Sequence, residues 1–206
     1  TQRGVLYTGG ASSIVHDVRH YWESHEDAVI LTCDVKNAFN SPDRCAIHAA
    51  LAKEGAGWEP FHALFDVEYG GHSVVSWRVG GRRVNIPSEK GTRQGSALGG
   101  LFFCVVLHPV LEETLRRHPN VQILAYLDDV TITGRARDVA AAFRTYTELC
   151  GEIGLVMNAK KCEWLCKRQE DEAHAPSVGT TPVTVVRGAI KVLGAFIGDP
   201  QTCRQR

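Results

Sequence analysis

The stretch Ala125-Tyr126-Leu127-Asp128-Asp129-Val130 decides the fold of this chain, because β-forming residues flank it on both sides. Val121–Leu124 precedes it, and Thr131–Thr133 follows it. This pattern predicts a strand, a tight turn and a second strand, with two adjacent carboxylates at the tip. Taken alone, an acidic tip is ordinary, because Asp tolerates turn geometry and bonds its own backbone.

Length and composition indicate a globular chain, either one α/β domain or a domain with part of a neighbouring one. The chain has 206 residues, of which 44% are hydrophobic and 22% charged, enough to bury a core. No apolar run approaches the roughly 20 residues that span a bilayer, and we expect an intracellular protein. The missing initiator Met suggests an excised fragment. Zero net charge counts mildly against a nucleic-acid binder, which usually carries a basic surplus. Basic segments outside the fragment would supply that positive charge.

The seven cysteines are scattered, which is typical of reduced thiols in an intracellular protein. Cys162, Cys166 and His174 form a weak candidate zinc site. Structural zinc sites need four well-spaced ligands, and no fourth ligand is obvious, so the spacing favours free thiols over zinc.

Two segments have the clearest local signals. The run from Asp27 to Asp34 is continuously apolar and of strand length, which predicts a strand buried on both faces. Ser41-Pro42-Asp43 predicts a helix start with Ser41 as N-cap, and the helix should run to about Glu54.

The remaining elements follow from periodicity and turn residues. They are a helix ending near Ser24, a helix over Pro60–Tyr69, a hairpin of Val74–Val79 with Arg82–Ile86, a helix over Leu98–Arg117 kinked or broken at Pro109, a helix over Arg137–Ile153, short strands at Leu155–Met157, Cys162–Cys166 and Val183–Phe196, and a mobile polar loop over Arg168–Pro182. This irregular order predicts an α+β layer, with an antiparallel or mixed sheet and helices on one face.

A third carboxylate changes the interpretation of the acidic hairpin. Asp34 ends the buried strand, so Asp34, Asp128 and Asp129 would converge at one sheet edge if the two strands are neighbours. Like charges this close raise one another's pKa, and divalent cations remove that cost. Mg²⁺ takes one or two carboxylates with phosphate and water oxygens, and a pair of such ions suits phosphoryl displacement. The alternative is a strand-end cap and a solvated turn.

Three other segments supply matching parts, each with a common structural alternative. The loop Lys90–Ser96 has glycines that permit close approach of a ligand, and Arg93 in it could meet phosphate; the alternative is a flexible loop. Phe39 could form a floor under a bound sugar, although a lone Phe is usually core. Lys161 could neutralise a pyrophosphate leaving group, whereas a solvated Lys is the usual alternative.

Five segments, in order, resemble the polymerase motifs of reverse transcriptases and together cover most of the chain. They are Asp34–Phe39 (motif A), Arg93-Gln94-Gly95 (motif B), Tyr126-Leu127-Asp128-Asp129 (the Tyr-x-Asp-Asp box, motif C), Gly154-Leu155 with Asn158 and Lys161 (motif D), and Leu193–Gly198 (motif E). Their details most resemble non-long-terminal-repeat (LINE-type) retrotransposon enzymes, with a trypanosomatid or other protist element as the narrower expectation. Ser96-Ala97 departs from the Asp-Pro of many relatives, which affects the template-side loop more than the metals.

The resemblance implies a right-hand polymerase palm with an antiparallel sheet packed on helices, plus part of the fingers. Residues 1–26 and 55–95 would form fingers and palm-edge parts, and residues 27–54 and 96–198 the palm. The N-terminal fingers and the C-terminal thumb would lie outside residues 1–206.

The resemblance also implies roles for the site residues. Asp34 and Asp128 would be the principal ligands of two Mg²⁺ ions, for which Mn²⁺ can substitute, with Asp129 as a third carboxylate and the Val35 carbonyl as a further ligand. The remaining implied roles concern the substrate: Phe39 as the steric gate against a ribose 2′-hydroxyl, Arg93, Gln94, Gly95 and Tyr126 as substrate-binding residues, and Lys161 as the lysine near the pyrophosphate.

The expected activity is RNA-templated DNA synthesis from dNTPs onto a primer 3′-hydroxyl, as part of a retrotransposon polyprotein. The expected partners are an RNA template, a DNA primer and a dNTP, with no membrane and a nuclear location; an endonuclease domain in the same polyprotein stays open. Without fingers and thumb, the fragment alone should be inactive.

Two other hypotheses stay open. One is a catalytically silent reverse-transcriptase-like module that binds nucleic acid or is structural, against which the three retained aspartates argue. The other is an RNA-dependent RNA polymerase, which usually carries Gly-Asp-Asp and a smaller gate residue; Tyr126 and Phe39 favour the DNA polymerase.

Overall fold

The structure is a computed structural model that describes residues 2–4, 8–71, 74–93 and 95–205. Its helices are α1 (Gly10–Ser24), α2 (Arg44–Leu51), α3 (Glu59–Tyr69), α4 (Gly99–Arg117), α5 (Ala136–Glu152) and α6 (Pro200–Gln205). Its strands are β1 (Ala28–Cys33), β2 (Val74–Val79), β3 (Arg82–Pro87), β4 (Gln122–Tyr126), β5 (Asp129–Arg135), β6 (Glu163–Cys166), β7 (Ser177–Val178), β8 (Thr181–Pro182), β9 (Thr184–Val185), β10 (Ala189–Val192) and β11 (Ala195–Gly198).

A five-stranded sheet with the order β4-β5-β1-β6-β9 forms the centre of the fold. Strand β1 pairs antiparallel with β5 on one side and with β6 on the other, whereas β9 adds to β6 in parallel. The predicted hairpin is confirmed: β4 pairs with β5, and Leu127 and Asp128 connect them. The sheet is therefore mixed but mainly antiparallel, as expected for the α+β class.

Both faces of β1 are buried, as its continuous apolar sequence predicted. Val29 and Leu31 pack in a core formed with α4 and α5, and Ile30 packs in a second core with α1 and the hairpin β10–β11. Alternate residues of a strand point to opposite faces, so each face needs its own cover. The fold accordingly differs from the expectation of helices on one face, since α1 lies on the second face.

A third apolar cluster joins α2, α3 and α4, with Phe65 and Phe102 in edge-to-face contact at a centroid distance of 5.1 Å. The predicted hairpin of β2 and β3 is also present, but all twelve of its residues are exposed. Trp77, for example, is 63% exposed. The division of the chain into palm and fingers parts stays a prediction.

Several local predictions were wrong for identifiable reasons. Asp43, not Ser41, precedes α2, because the Ser41 hydroxyl donates to the carbonyls of Lys36 and Asn37 instead. Helix α4 continues through Pro109 without the predicted break, with buried residues on both sides of the proline, whereas the alternative of a kink stays a prediction. The segment after β6 is no plain loop, because Arg168 bonds the buried Asp171 at 2.8 Å within a 3₁₀ turn over Gln169–His174.

Two sequence expectations concern metals and membranes. In the described ranges no three His, Cys, Asp or Glu side chains are grouped to hold a metal ion, and this includes Cys162, Cys166 and His174. Cys162 is buried, and its sulfur accepts a hydrogen bond from the Asp34 N–H. Among the described residues, no helix has the length and apolar character that crossing a bilayer requires.

Candidate active site

Asp34 lies where the central strand β1 ends, and Asn158 holds it there. The Asn158 side-chain amide donates to Asp34 Oδ2 at 2.9 Å, and the Asn158 backbone N–H donates to the Asp34 carbonyl at 2.8 Å. The Asp34 N–H donates to Cys162 Sγ at 3.4 Å. The next residue, Val35, is buried and bridges Met157. The carboxylate of Asp34 is therefore fixed by its neighbours before any ligand binds.

Asp129 lies beside Asp34 on the neighbouring strand. The antiparallel register pairs Cys33 with Val130, and its next step places Asp34 opposite Asp129. Asp34 and Asp129 both line a pocket of about 180 Å³ at the end of the sheet where β1 ends and β5 begins. Lys161, Glu163 and Lys191 line the same pocket. The structure thus brings together two of the predicted carboxylates and the predicted lysine, although they are distant in sequence.

Asp128 has different neighbours from Asp129. The described residues that line the pocket do not include Asp128. Its negative charge instead contributes, after burial, to raising the pKa of Cys104 in α4 to about 12. The two adjacent carboxylates therefore have different surroundings: Asp129 lines the pocket, whereas Asp128 affects the pKa of Cys104. Which of them is the principal metal ligand stays a prediction.

Asp129 is a carboxylate whose pKa responds to its surroundings. Protein atoms around Asp129 exclude part of its water and raise its pKa, and the negative charges of Asp128 and Asp34 raise the pKa further. A cation at this position would remove the repulsion. Carboxylate oxygens suit Mg²⁺, which usually takes one or two of them plus phosphate and water oxygens. The carboxylates of this site therefore fit Mg²⁺, because the ion needs only one or two of them and takes its other ligands from phosphate and water.

Phe39 lies in a 3₁₀ turn over Ala38–Asn40 that follows Asp34. Its ring packs on Phe103 of α4 at a centroid distance of 4.8 Å, and the side chain remains half-buried. Its carbonyl accepts a hydrogen bond from the Thr92 N–H at 2.6 Å. The predicted gate residue is thus attached to both the core and the loop that carries Arg93.

The loop that carries Arg93 had a flexible loop as its alternative interpretation, but hydrogen bonds from Arg44 of α2 hold it in place. The Arg44 guanidinium donates to the carbonyls of Ser88, Lys90 and Gly91 and to the Ser88 hydroxyl. It also lies over the Tyr69 ring, 5.0 Å from the centroid. Burial lowers the pKa of Arg44, and the charge of nearby Arg93 lowers it further. The loop is therefore a docked segment that the partly buried Arg44 holds in place.

The predicted substrate-binding residues differ in how the structure places them. Arg93 is exposed, with its guanidinium 5.7 Å from the Tyr69 ring centroid. Gly95 is exposed and has a left-handed backbone with φ +88°. Tyr126 is half-buried against the core under α1. Gln94 lies outside the described residues.

Sequence reasoning missed four residues around the site. Asn158 was noticed as part of the segment that leads to Lys161, but not as a partner of Asp34, and Lys191 was not assigned to the site. Arg44, and Gln2, which bonds Leu127 in the turn before Asp128, were not assigned to the site either, because their partners lie far away in sequence.

A larger pocket of about 580 Å³ lies at the other end of the sheet, around Asp27 and Arg135. Its charges already neutralise one another, with Arg135 bonded to Asp27 at 3.0 Å and Arg168 to Asp171 at 2.8 Å. Size alone therefore does not make it the reactive site.

The family model described as "Reverse transcriptase (RNA-dependent DNA polymerase)" matches residues 6–195. The chain belongs to this family. The predicted resemblance to reverse transcriptases is thereby confirmed, and the match extends over nearly all of the chain.

One relative of this reverse transcriptase chain supports the LINE-type assignment. The chain is 31% identical over 133 residues to the retrotransposable element SLACS 132 kDa protein of Trypanosoma brucei gambiense. The matched region is 64% of this chain but only 11% of that protein. The chain thus spans a small part of its relative's length.

Solved polymerases share the fold. A telomerase chain from Candida albicans, in complex with a fragment of telomeric RNA, has a TM-score of 0.63 at 12% identity, over 92% of this chain and 34% of that one. A chain of an RdRp complex has a TM-score of 0.58 at 14% identity, over 91% of this chain and 17% of that one. These similarities confirm the polymerase fold class of the reverse transcriptase chain.

Proposed function

We propose that this chain carries the catalytic centre for RNA-templated DNA synthesis, the function expected of a retrotransposon reverse transcriptase. The observation that carries the proposal is the pocket in which Asp34, Asp129 and Lys161 meet. Membership of the reverse transcriptase family supports this reaction over the many others that an acidic pocket could serve.

The reaction is attack of a primer 3′-hydroxyl on the α-phosphate of a dNTP, with release of pyrophosphate. Asp34, Asp128, Asp129 and the Val35 carbonyl would hold two Mg²⁺ ions, which when bound stabilise charge on the attacking and leaving oxygens. The chain's own residues supply position and charge. Asp34 is held by Asn158, and this pre-organisation lowers the cost of assembling the reacting groups.

The remaining residues act on the nucleotide. Lys161 lies on the exposed rim of the pocket, where its ammonium group can donate a proton to, or neutralise, the pyrophosphate. The Phe39 ring excludes a ribose 2′-hydroxyl, since packing on Phe103 limits its movement. Arg93, with Gln94, Gly95 and Tyr126, completes the nucleotide-binding surface.

The partners in this proposal are an RNA template, a DNA primer and a dNTP, and the expected location is the nucleus. Mn²⁺ would substitute for Mg²⁺. The presence of an endonuclease domain in the same polyprotein stays open.

Primer extension on an RNA template tests the proposal. We expect dNTP incorporation by the longest protein that contains this chain, and none by residues 1–206 alone. Asp128→Asn and Asp34→Asn should each abolish incorporation, whereas Asp138→Asn, at an aspartate of α5, should leave it intact. Undiminished synthesis by Asp128→Asn would show that the metal assignment is wrong.

The same assay addresses the alternative, a catalytically silent module. Template binding without incorporation by the wild-type protein, at any Mg²⁺ or Mn²⁺ concentration, would favour that alternative. A Phe39→Val variant separates the two polymerase classes, since it should gain rNTP use only if Phe39 is the gate.

A further inference from the structure

The turn between β4 and β5 has an unusual backbone. Leu127, between Tyr126 and Asp128, has a left-handed conformation with φ 55°. A branched apolar residue rarely adopts this conformation, and it persists only where the surroundings determine it. Some other group must therefore hold this turn.

Gln2 is that group. Its side-chain Oε1 accepts a hydrogen bond from the Leu127 N–H at 2.8 Å, and its Nε2 donates to the Leu127 carbonyl at 2.9 Å. One amide side chain thus bonds both polar groups of a single backbone residue, the one that immediately precedes Asp128. Hydrogen bonds of this paired kind fix orientation as well as position.

Arg3, the residue after Gln2, is anchored through both its backbone and its side chain. The Arg3 N–H donates to the Ala125 carbonyl of β4 at 2.7 Å. The Arg3 guanidinium bonds Asp17 and Ser13 of α1, each at 2.6 Å. Residues 2–4 therefore connect α1 to the turn.

Gly4 shows how closely this segment approaches. A Cβ atom built there would lie 2.4 Å from the Leu127 backbone nitrogen. Only glycine fits at such a distance, and its N–H donates to Gln2 Oε1 at 2.9 Å, which orients the amide.

We propose that Gln2 is a positioning residue for polymerisation, which holds the Leu127 turn so that Asp128 and Asp129 are presented to Asp34. This inference rests on the proposed function. Gln2 acts through the backbone and touches neither nucleotide nor metal ion, so it should affect the rate of chemistry more than the binding of dNTP.

The experiment combines residue-resolved amide hydrogen exchange with single-nucleotide incorporation kinetics, on the longest protein that contains this chain. Gln2→Leu removes both side-chain hydrogen bonds, whereas Gln2→Glu keeps the acceptor for the Leu127 N–H. Gln201→Leu makes the same change at an exposed glutamine in α6 and serves as the control.

We expect the Leu127 amide to exchange at least tenfold faster in Gln2→Leu, with exchange of the buried α4 amides unchanged. The kcat should fall about tenfold and the KM for dNTP less than twofold; Gln2→Glu should retain protection of the Leu127 amide, and Gln201→Leu should match the wild type. Should Gln2→Leu fail to fold, Gln2→Asn, which has the same groups but one methylene fewer, replaces it.

Unchanged protection of Leu127, or an unchanged kcat, in the variant that lacks the amide would overturn the inference. A loss confined to the KM would also overturn it. If the wild-type protein incorporates no dNTP, the proposed function fails, yet the exchange rate of the Leu127 amide still decides whether Gln2 holds the turn.

Discussion

Asn158 bonds Asp34 twice, once from its side chain to the carboxylate and once from its backbone to the carbonyl oxygen. The two residues belong to neighbouring parts of the sheet, because Asp34 follows the end of β1 and Asn158 precedes β6, the strand that pairs with β1. The backbone bond holds the Asp34 main chain, and the side-chain bond holds its carboxylate, which lines the pocket.

Removal of the Asn158 amide should impair catalysis without unfolding the protein. We expect Asn158→Ala to lower kcat about 10–100-fold, the loss typical when a group that orients a metal ligand is removed. Single-nucleotide incorporation at saturating dNTP measures this, with Asn120→Ala, at an exposed asparagine, as the control. A kcat within twofold of the wild type would show that Asp34 needs no such support.

Arg44 should control the loop that carries Arg93. Arg44→Lys keeps the positive charge but loses the planar guanidinium, which donates hydrogen bonds to several carbonyls at once. We expect the loop to be cleaved faster after Glu89 by a glutamate-specific protease, and the KM for dNTP to rise several-fold. Arg19→Lys, at an exposed position in α1, should change neither; equal cleavage of all three proteins would contradict the docked-loop description.

Gly91 should tolerate no side chain. Its backbone is left-handed at φ +66°, and a Cβ there would lie 2.3 Å from the Asn40 carbonyl carbon. Gly91→Ala should therefore destabilise by about 2–5 kcal/mol, from roughly 1–2 for the backbone and about 1–3 for overpacking. Gly80→Ala, left-handed but in open space, should cost only about 1–2 kcal/mol. Urea denaturation compares them, and equal losses would contradict the close packing.

Replacement of the Asp129 carboxylate should stabilise the folded protein, because nearby negative charges repel it. Its pKa is raised in the folded protein, so the native state holds more protons than the unfolded state between the unfolded and folded pKa values. Stability therefore falls as pH rises through that window. We expect Asp129→Asn to be more stable than the wild type by about 0.2–1 kcal/mol above the folded pKa, with the difference vanishing below the unfolded pKa.

Thermal unfolding across pH, without divalent ions, measures this difference. Added Mg²⁺ should raise the Tm of the wild type more than that of Asp129→Asn, since a ligand that binds the native state stabilises it. A variant less stable than the wild type at neutral pH would refute the repulsion between Asp129 and its two neighbours.

Most of the helices and strands could be predicted because hydrophobic periodicity and turn residues lie within each element's own stretch of sequence. The apolar run before Asp34 required a doubly buried strand, and the β-forming residues around Leu127 required a hairpin. Ser41 misled the prediction of the α2 cap because two carbonyls from the preceding turn compete for its hydroxyl. Such competition is invisible until the turn is built.

The site was predictable in composition but not in geometry. The three aspartates could be chosen from strand ends, but the placement of Asp129, rather than Asp128, against Asp34 depends on the register between β1 and β5. A shift of one residue would reverse it. Arg44 and Gln2 were missed because side chains that hold distant backbone carry no sequence periodicity.

Strand β1 lies between β5 and β6 but precedes both in the chain, which has a consequence during synthesis on the ribosome. Until β5 and β6 emerge, β1 is an apolar segment with two open edges, and such edges readily pair with other chains. Products of premature termination before Glu163 therefore lack β6, so that one edge of β1 stays open and the products are prone to aggregation. Translation of β6 covers this second edge and removes that risk from the nascent chain.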